Sequence, residues 1–315
     1  MYSKSLVTIA LLSFSFSALS GVDVIYGTDN RKDVYLVKNP IQLKLSKSTA
    51  GMIKKSLFTK GTSAGVFDLK GTASLERAHN VCSSEKFSQQ QVAPSCSGFL
   101  VGPDLLVTAG HCYNSFDLPE NVCANFMWVF DYEMKSTIHN PTKGLKIADI
   151  YGCKQVVSVK RDNLYDFAII RLDRKVVGRQ PLKFRTTGKV PSTSSLLVIG
   201  HPTGLPTKIA DSGKITKNTE FTRFSTTLDT FHGNSGSAVF DAVTGQVEGI
   251  LIMGKNDYQP SDMKNPKSCL TTNKCDENAM NCSSGPEQGI IEKGEIVLRI
   301  ELISQLIQNA LKSTN

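Results

Sequence analysis

The sequence predicts an all-β protein that ends in a single α-helix, and three observations carry the expectation. Short apolar runs recur at residues 96–102, 105–109, 124–131, 147–160, 166–172, 196–200, 208–215, 221–228, 238–240 and 247–253. Runs of this kind, bounded by turn residues, read as strands that enter a core. The spacers are turn chemistry: Pro103-Asp104 joins two of the runs as a hairpin, and residues 241–245 join another two. Helical spacing is clear only at the end. There Ile300, Ile303, Leu306, Ile307, Ala310 and Leu311 recur on one side, with Glu301, Gln305, Gln308 and Lys312 on the other.

In chain order, residues 1–20 have the form of an export leader. Lys4 is followed by a mostly apolar stretch from Leu6 to Leu19, and small residues stand at Ala18 and Ser20. The stretch is shorter than the roughly 20 clean apolar residues a membrane span requires. A secreted or periplasmic protein is therefore expected, with no membrane anchor. Removing Lys4 with the leader takes the net charge from +8 to +7. The remaining basic residues are scattered in small groups such as Lys54-Lys55 and are not interleaved with aromatics, which argues against a nucleic-acid partner. Residues 21–80 read as a pro-segment or as an arm leading into the first strands.

Eight cysteines follow the leader: Cys82, Cys96, Cys112, Cys123, Cys153, Cys269, Cys275 and Cys282. An even number in an exported chain points to disulfides. The paired spacings of a zinc site are missing, so no metal is expected. Residues 255–288, polar and holding three of the cysteines, read as a long exposed loop beside a cleft.

The chemistry concentrates in three places. In Phe-His-Gly233-Asn234-Ser235-Gly236-Ser, glycines flank a serine on a tight loop. Such a turn can aim the N–H groups of Gly233 and Ser235 at one developing oxyanion. His111 stands in Thr-Ala-Gly-His-Cys, directly after the hairpin runs. Asp166 opens the buried run Asp-Phe-Ala-Ile-Ile-Arg-Leu; Asp162 and Asp173 are the alternative acids nearby. His201, in Gly-His-Pro-Thr-Gly, reads as part of a structural turn rather than as a second base.

These strings closely resemble the chymotrypsin-like, trypsin-fold serine peptidases. That resemblance implies two six-stranded antiparallel β-barrels with a C-terminal α-helix, occupying residues 81–315. It also implies a triad of His111 as base, Asp166 as its orienting acid and Ser235 as nucleophile, and a disulfide between Cys96 and Cys112 that holds the histidine loop. The order His, Asp, Ser fits; α/β-hydrolases and subtilisins run differently. An esterase on another fold is disfavoured for that reason. Asn234 replaces the aspartate that trypsin carries before its serine. With Val24-Ile25 and Asp29-Asn30-Arg31, it makes the chain similar to the bacterial branch of staphylococcal glutamyl endopeptidase. Gly249-Ile250 is followed by Leu251 where glutamate-specific members have histidine, so that specificity is not implied. Asp229 lies six residues before Ser235, the offset at which trypsin holds the acid of its substrate pocket, which implies cleavage after Lys or Arg. Protein or peptide substrates are expected, with no cofactor and a monomeric state. The alternative is a catalytically silent binding protein of the same fold.

Overall fold

The computed structural model describes residues 24–114, 121–254, 256–283 and 294–313. The expected leader, residues 1–20, lies outside them, as does the end of the polar segment from residue 284 onward.

Six strands close into a barrel: β1 (Thr49–Lys54), β2 (Cys96–Leu100), β3 (Leu105–Thr108), β4 (Phe126–Phe130), β5 (Ile150–Arg161) and β6 (Asp166–Leu172). Hydrogen bonding runs in the order β4-β5-β6-β3-β2-β1, and β1 pairs antiparallel with β4 to complete the ring. Strand β2 shows why the apolar runs become strands. Phe99 and Leu100 are fully buried, and Gly98 leaves room for Trp128: a Cβ at Gly98 would lie 2.8 Å from that ring. Buried Trp128 donates its indole N–H to Tyr113 Oη at 3.0 Å, which satisfies its polar atom inside the barrel.

The second body is an eight-stranded sheet. Its strands are β7 (Leu196–Gly200), β8 (Lys208–Gly213), β9 (Ile215–Lys217), β10 (Arg223–Thr226), β11 (Ala238–Asp241), β12 (Val247–Met253), β13 (Glu295–Arg299) and the two-residue piece Lys32–Asp33. The order is β9-β10-β13-β12-β11-β7-β8 with Lys32–Asp33 at the edge. The all-β expectation holds, with one closed six-stranded barrel and an open partner sheet that borrows its last strand from the arm. One apolar cluster spans both bodies, joining Phe99, Leu106 and Val107 to Leu197, Ile199, Phe240 and Leu298.

The C-terminal helix α3 (Ser304–Lys312) buries Ile307 and Ala310 against the same cluster, and a 3-10 turn before it buries Ile300 and Ile303. Leu306, expected on the buried face, is exposed. Arg171 of β6 fixes the helix end: it donates to the Ala310 carbonyl at 2.7 Å and pairs with Asp104 at 2.9 Å. A cation at a helix C-terminus also meets the favourable end of the dipole. Earlier in the chain, α1 (Pro40–Ser46) is capped by the Asn39 side chain, and α2 (Leu75–His79) by Ser74.

All eight cysteines are paired: Cys82–Cys269, Cys96–Cys112, Cys123–Cys153 and Cys275–Cys282. The first closes 187 residues and ties the leading segment to the polar loop. In the chain-entropy model even the 16-residue closure of Cys96–Cys112 is worth about 3 kcal/mol.

The arm at residues 24–33 is held from several directions. Ile25 and Tyr26 pair parallel with Lys274 and Cys275, while Lys32 and Asp33 pair with Ile209 and Lys208. Arg31, almost wholly buried, stacks 3.9 Å over the Phe231 ring and is paired with Asp29. Asp229 takes the Tyr26 N–H at 2.8 Å and the Asn30 N–H at 2.6 Å. Burial pushes the Asp229 carboxyl up to about 6, against the opposing pull of the two amides. Asp33 meets Lys208 at 2.7 Å in a pair closed to solvent, and burial brings the Lys208 ammonium down to about 8.

Two outcomes follow for this arm. Lys208→Met strands the Asp33 charge and should cost about 3–5 kcal/mol, with much of the loss recovered by adding Asp33→Leu; urea melts of the three proteins check it. For Asp229, the folded-state value lies above the unfolded one near 3.9. Its protonation therefore favours the folded arm, with that contribution fully present below about pH 4 and lost as pH rises through 6. The stability of wild type relative to Asp229→Ala should rise by on the order of 2–3 kcal/mol from pH 7 to pH 4. A flat difference across that range would refute the assignment.

Candidate active site

His111 sits on a single 3-10 turn, Gly110–Cys112, immediately after β3. Gly110 is required there, because a Cβ would run into the Lys160 carbonyl and lie 2.9 Å from Phe167 N. Asp166, first residue of β6, uses both oxygens on the histidine: Oδ1 accepts the His111 backbone N–H at 2.8 Å, and Oδ2 meets Nδ1 at 2.8 Å. A carboxylate only accepts, so Nδ1 carries the proton and Nε2 keeps its lone pair. The alternative acids are engaged elsewhere. Asp162 caps Leu164 and Tyr165, and Asp173 accepts from Gly152 and pairs with Arg174.

The serine loop lies between β10 and β11 and is pressed onto the first barrel. Gly233 has φ +93° and Gly236 φ +85°, both in the region that favours glycine. A Cβ at Gly236 would overlap Thr108 Oγ1 and the Ser97 carbonyl, so the loop sits backbone-to-backbone on β2 and β3. Ser97 N–H donates to the Ser235 carbonyl at 2.8 Å and Ser97 Oγ to the Gly233 carbonyl at 2.8 Å. The Cys112 sulfur lies 3.8 Å from the Ser235 carbonyl, which brings the serine beside the histidine turn. Gly236 N–H donates to Leu251 of β12 at 2.8 Å.

Among the described residues, the N–H groups of Gly233 and Ser235 donate to no protein acceptor, and neither Ser235 Oγ nor His111 Nε2 has a hydrogen-bond partner. The loop thus presents two unused amides and a free hydroxyl beside the turn that carries His111, whose imidazole is oriented from behind by Asp166. Asn234 is buried, with its side-chain oxygen 3.4 Å from Ser237 Oγ.

Asp229 does not stand alone beneath the loop. It is 2% exposed and its oxygens are occupied by the arm amides of Tyr26 and Asn30. Next to it, Glu295 receives Tyr26 Oη at 2.7 Å and the Thr230 hydroxyl. His201 is fully buried with Nδ1 on the Leu205 carbonyl at 3.1 Å, and burial lowers its imidazole to about 4. It is neutral at pH 7 and takes no part in the histidine–aspartate pair. Cys96, His111 and Cys112 form the one triplet of clustered metal-ligand types among the described residues. Both sulfurs are in the disulfide, so the cluster offers no thiolate.

Ser97, the residue that bonds the serine loop to β2, carries no local mark of that role. Its own N–H and hydroxyl, the Thr108 hydroxyl on its carbonyl at 2.7 Å, and the His201 N–H on its Oγ at 2.9 Å make it the centre of the junction. Only its place beside Cys96 could have marked it.

Residues 96–250 match the family model described as the trypsin-like peptidase domain. No curated protein sequence matches the chain. Among solved structures, a Glu endopeptidase in complex with MPD shares 16% identity over 92% of this chain and 100% of its own, at TM-score 0.49. The VesB protease of Vibrio cholerae shares 12% over 89% of this chain and 67% of its own, at 0.49. Human heparin binding protein shares 12% over 90% of this chain and 97% of its own, at 0.51. At these identities the last shows the fold. The match to the trypsin-like peptidase domain model covers 155 of the 315 residues, and that stretch runs through the closed barrel and its partner sheet.

Proposed function

We propose that the protein is an exported serine endopeptidase in which Ser235 attacks the scissile carbonyl. His111 Nε2 takes the hydroxyl proton and passes it to the leaving amine, while Asp166 holds the Nδ1–H tautomer and stabilises the imidazolium. Gly233 and Ser235 N–H groups would receive the oxyanion. The observation that carries this reading is the two-oxygen grip of Asp166 on His111, beside a serine loop whose two amides are unused. The absence of a hydrogen bond between the Ser235 hydroxyl and His111 Nε2 is compatible with it, since such bonds tighten when substrate binds. Four disulfides suit an oxidising compartment.

The triad members act as a unit, so Ser235→Ala should lower kcat/KM for a peptide substrate by several orders of magnitude while leaving the thermal midpoint nearly unchanged. A fluorophosphonate that labels wild type and not Ser235→Ala separates the enzyme from a silent binding protein of this fold. Retained turnover in the variant would refute the assignment.

Preference for Lys or Arg rests on Asp229. Its oxygens already serve Tyr26 and Asn30, so an incoming cation would have to share that carboxylate with the arm. A peptide-library profile decides it: a Lys or Arg preference that Asp229→Ser abolishes supports the role, and a profile with no basic preference removes it.

A further inference from the structure

Beside the serine loop lies a cleft of about 400 Å³, walled in part by Lys54, His79, Ser95, Thr203, Gly204 and His232. Its position follows from its walls. His232 directly precedes Gly233, and Thr203 and Gly204 pack on Gly233 so closely that a Cβ there would lie 3.3 and 3.0 Å from their amide nitrogens. Ser95 precedes Cys96, whose disulfide partner Cys112 follows His111. One wall of the cleft thus adjoins the Gly233 amide and another adjoins Cys96 of the disulfide that anchors the histidine turn. His111 has to protonate the leaving amine in the proposed reaction, and a cleft adjoining the disulfide of its turn is where the leaving-group side of a substrate would lie in that reading.

The walls carry donors and no acid. Lys54, at the end of β1, is exposed and forms no ion pair or hydrogen bond through its ammonium among the described residues. His79 closes α2 and is half-buried; burial and the neighbouring His232 hold its imidazole below the ordinary value. Asp257, which is not among the wall residues, takes the His232 backbone N–H with both oxygens, at 3.2 and 3.1 Å. A substrate carboxylate entering here would meet one cation and two imidazoles that can donate, whereas a substrate lysine would meet the Lys54 ammonium and no acid on the walls.

We propose that this cleft binds an acidic side chain of the substrate on the leaving-group side of the scissile bond, with Lys54, His79 and His232 as its partners. The proposal rests on the Ser235 reading above and adds a substrate class to it. A carboxylate can accept from the Lys54 ammonium and from an N–H of each imidazole, and charge-assisted bonds of this kind outweigh neutral ones. Because Lys54 is exposed, its effect should be modest and screened by salt.

The test is kcat/KM for three peptides differing only by Glu, Ala or Lys within three residues after the scissile bond, cleaved by wild type, Lys54→Ala, His79→Ala and the double variant. Wild type should rank Glu over Ala over Lys. The Glu-to-Lys ratio should fall about two- to fivefold in each single variant, further in the double, and toward the variant value in wild type at high salt. The rate at which a small fluorophosphonate labels Ser235 should be the same in all four proteins, since the probe does not reach the cleft. No labelling of any of them would end the Ser235 reading, and this proposal with it. Normal labelling with a wild-type ratio near one, or with a ratio that survives the double substitution, would overturn the acidic preference alone.

Discussion

The site depends on the serine loop lying flat on strand β2. Ser97 bonds through its N–H to the Ser235 carbonyl and through its hydroxyl to the Gly233 carbonyl, and Gly236 lets the two backbones meet. The loop belongs to the second sheet, while the histidine turn and its acid belong to the first barrel. Any slip between the two bodies would separate Ser235 from His111, and in the proposed reaction a misplacement of about 1 Å would be costly. The interface is accordingly fixed by directional bonds at Ser97 and by apolar packing around Phe99, Leu197 and Phe240. The apolar cluster supplies adhesion without direction; the Ser97 bonds set the register.

Much of this was legible because the chemistry is local. His111, Asp166 and Ser235 each sit in a short string with its own reason for being there: a glycine turn after a strand, an acid at the mouth of a buried run, a serine between glycines. The short apolar runs mapped onto strands for the same reason, since a buried strand needs only four to eight residues to declare itself. Boundaries moved where backbone geometry intervened. The run at 208–215 divides into β8 and β9, with Ser212 at φ +68° before the break, and the run at 221–228 pairs only over β10, with Phe221 left exposed.

What stayed hidden is long-range. Strand β13 is five residues, Glu295–Arg299, merging into the helical pattern that follows it; nothing local marks it as the partner of both β10 and β12. Leu306 fits the helical stripe but lies just off the packed face. The contacts of the arm span 203 residues between Tyr26 and Asp229 and 175 between Asp33 and Lys208, distances over which single-sequence patterns carry no information. Asp229 shows the consequence. Its offset from Ser235 suggested a pocket acid, whereas its surroundings in three dimensions include the arm amides.

That arrangement bears on how the serine loop is kept in shape without an ion pair behind it. Asn234 is neutral and buried, so it can offer the loop hydrogen bonding but no charge to a partner. The arm reaches the same region from the other side: Asp229 binds two of its amides five residues before Asn234, and Arg31 lies flat on Phe231, three residues before it. The segment entering the serine loop is thus clamped by backbone amides and a stacked guanidinium. A buried carboxylate that accepts N–H bonds needs no countercharge to stay ordered, though it remains sensitive to protonation because burial penalises its charged form. In this chain the task of holding the loop entrance falls to the arm, so arm docking and the geometry of the Gly233 and Ser235 amides are parts of one packed unit.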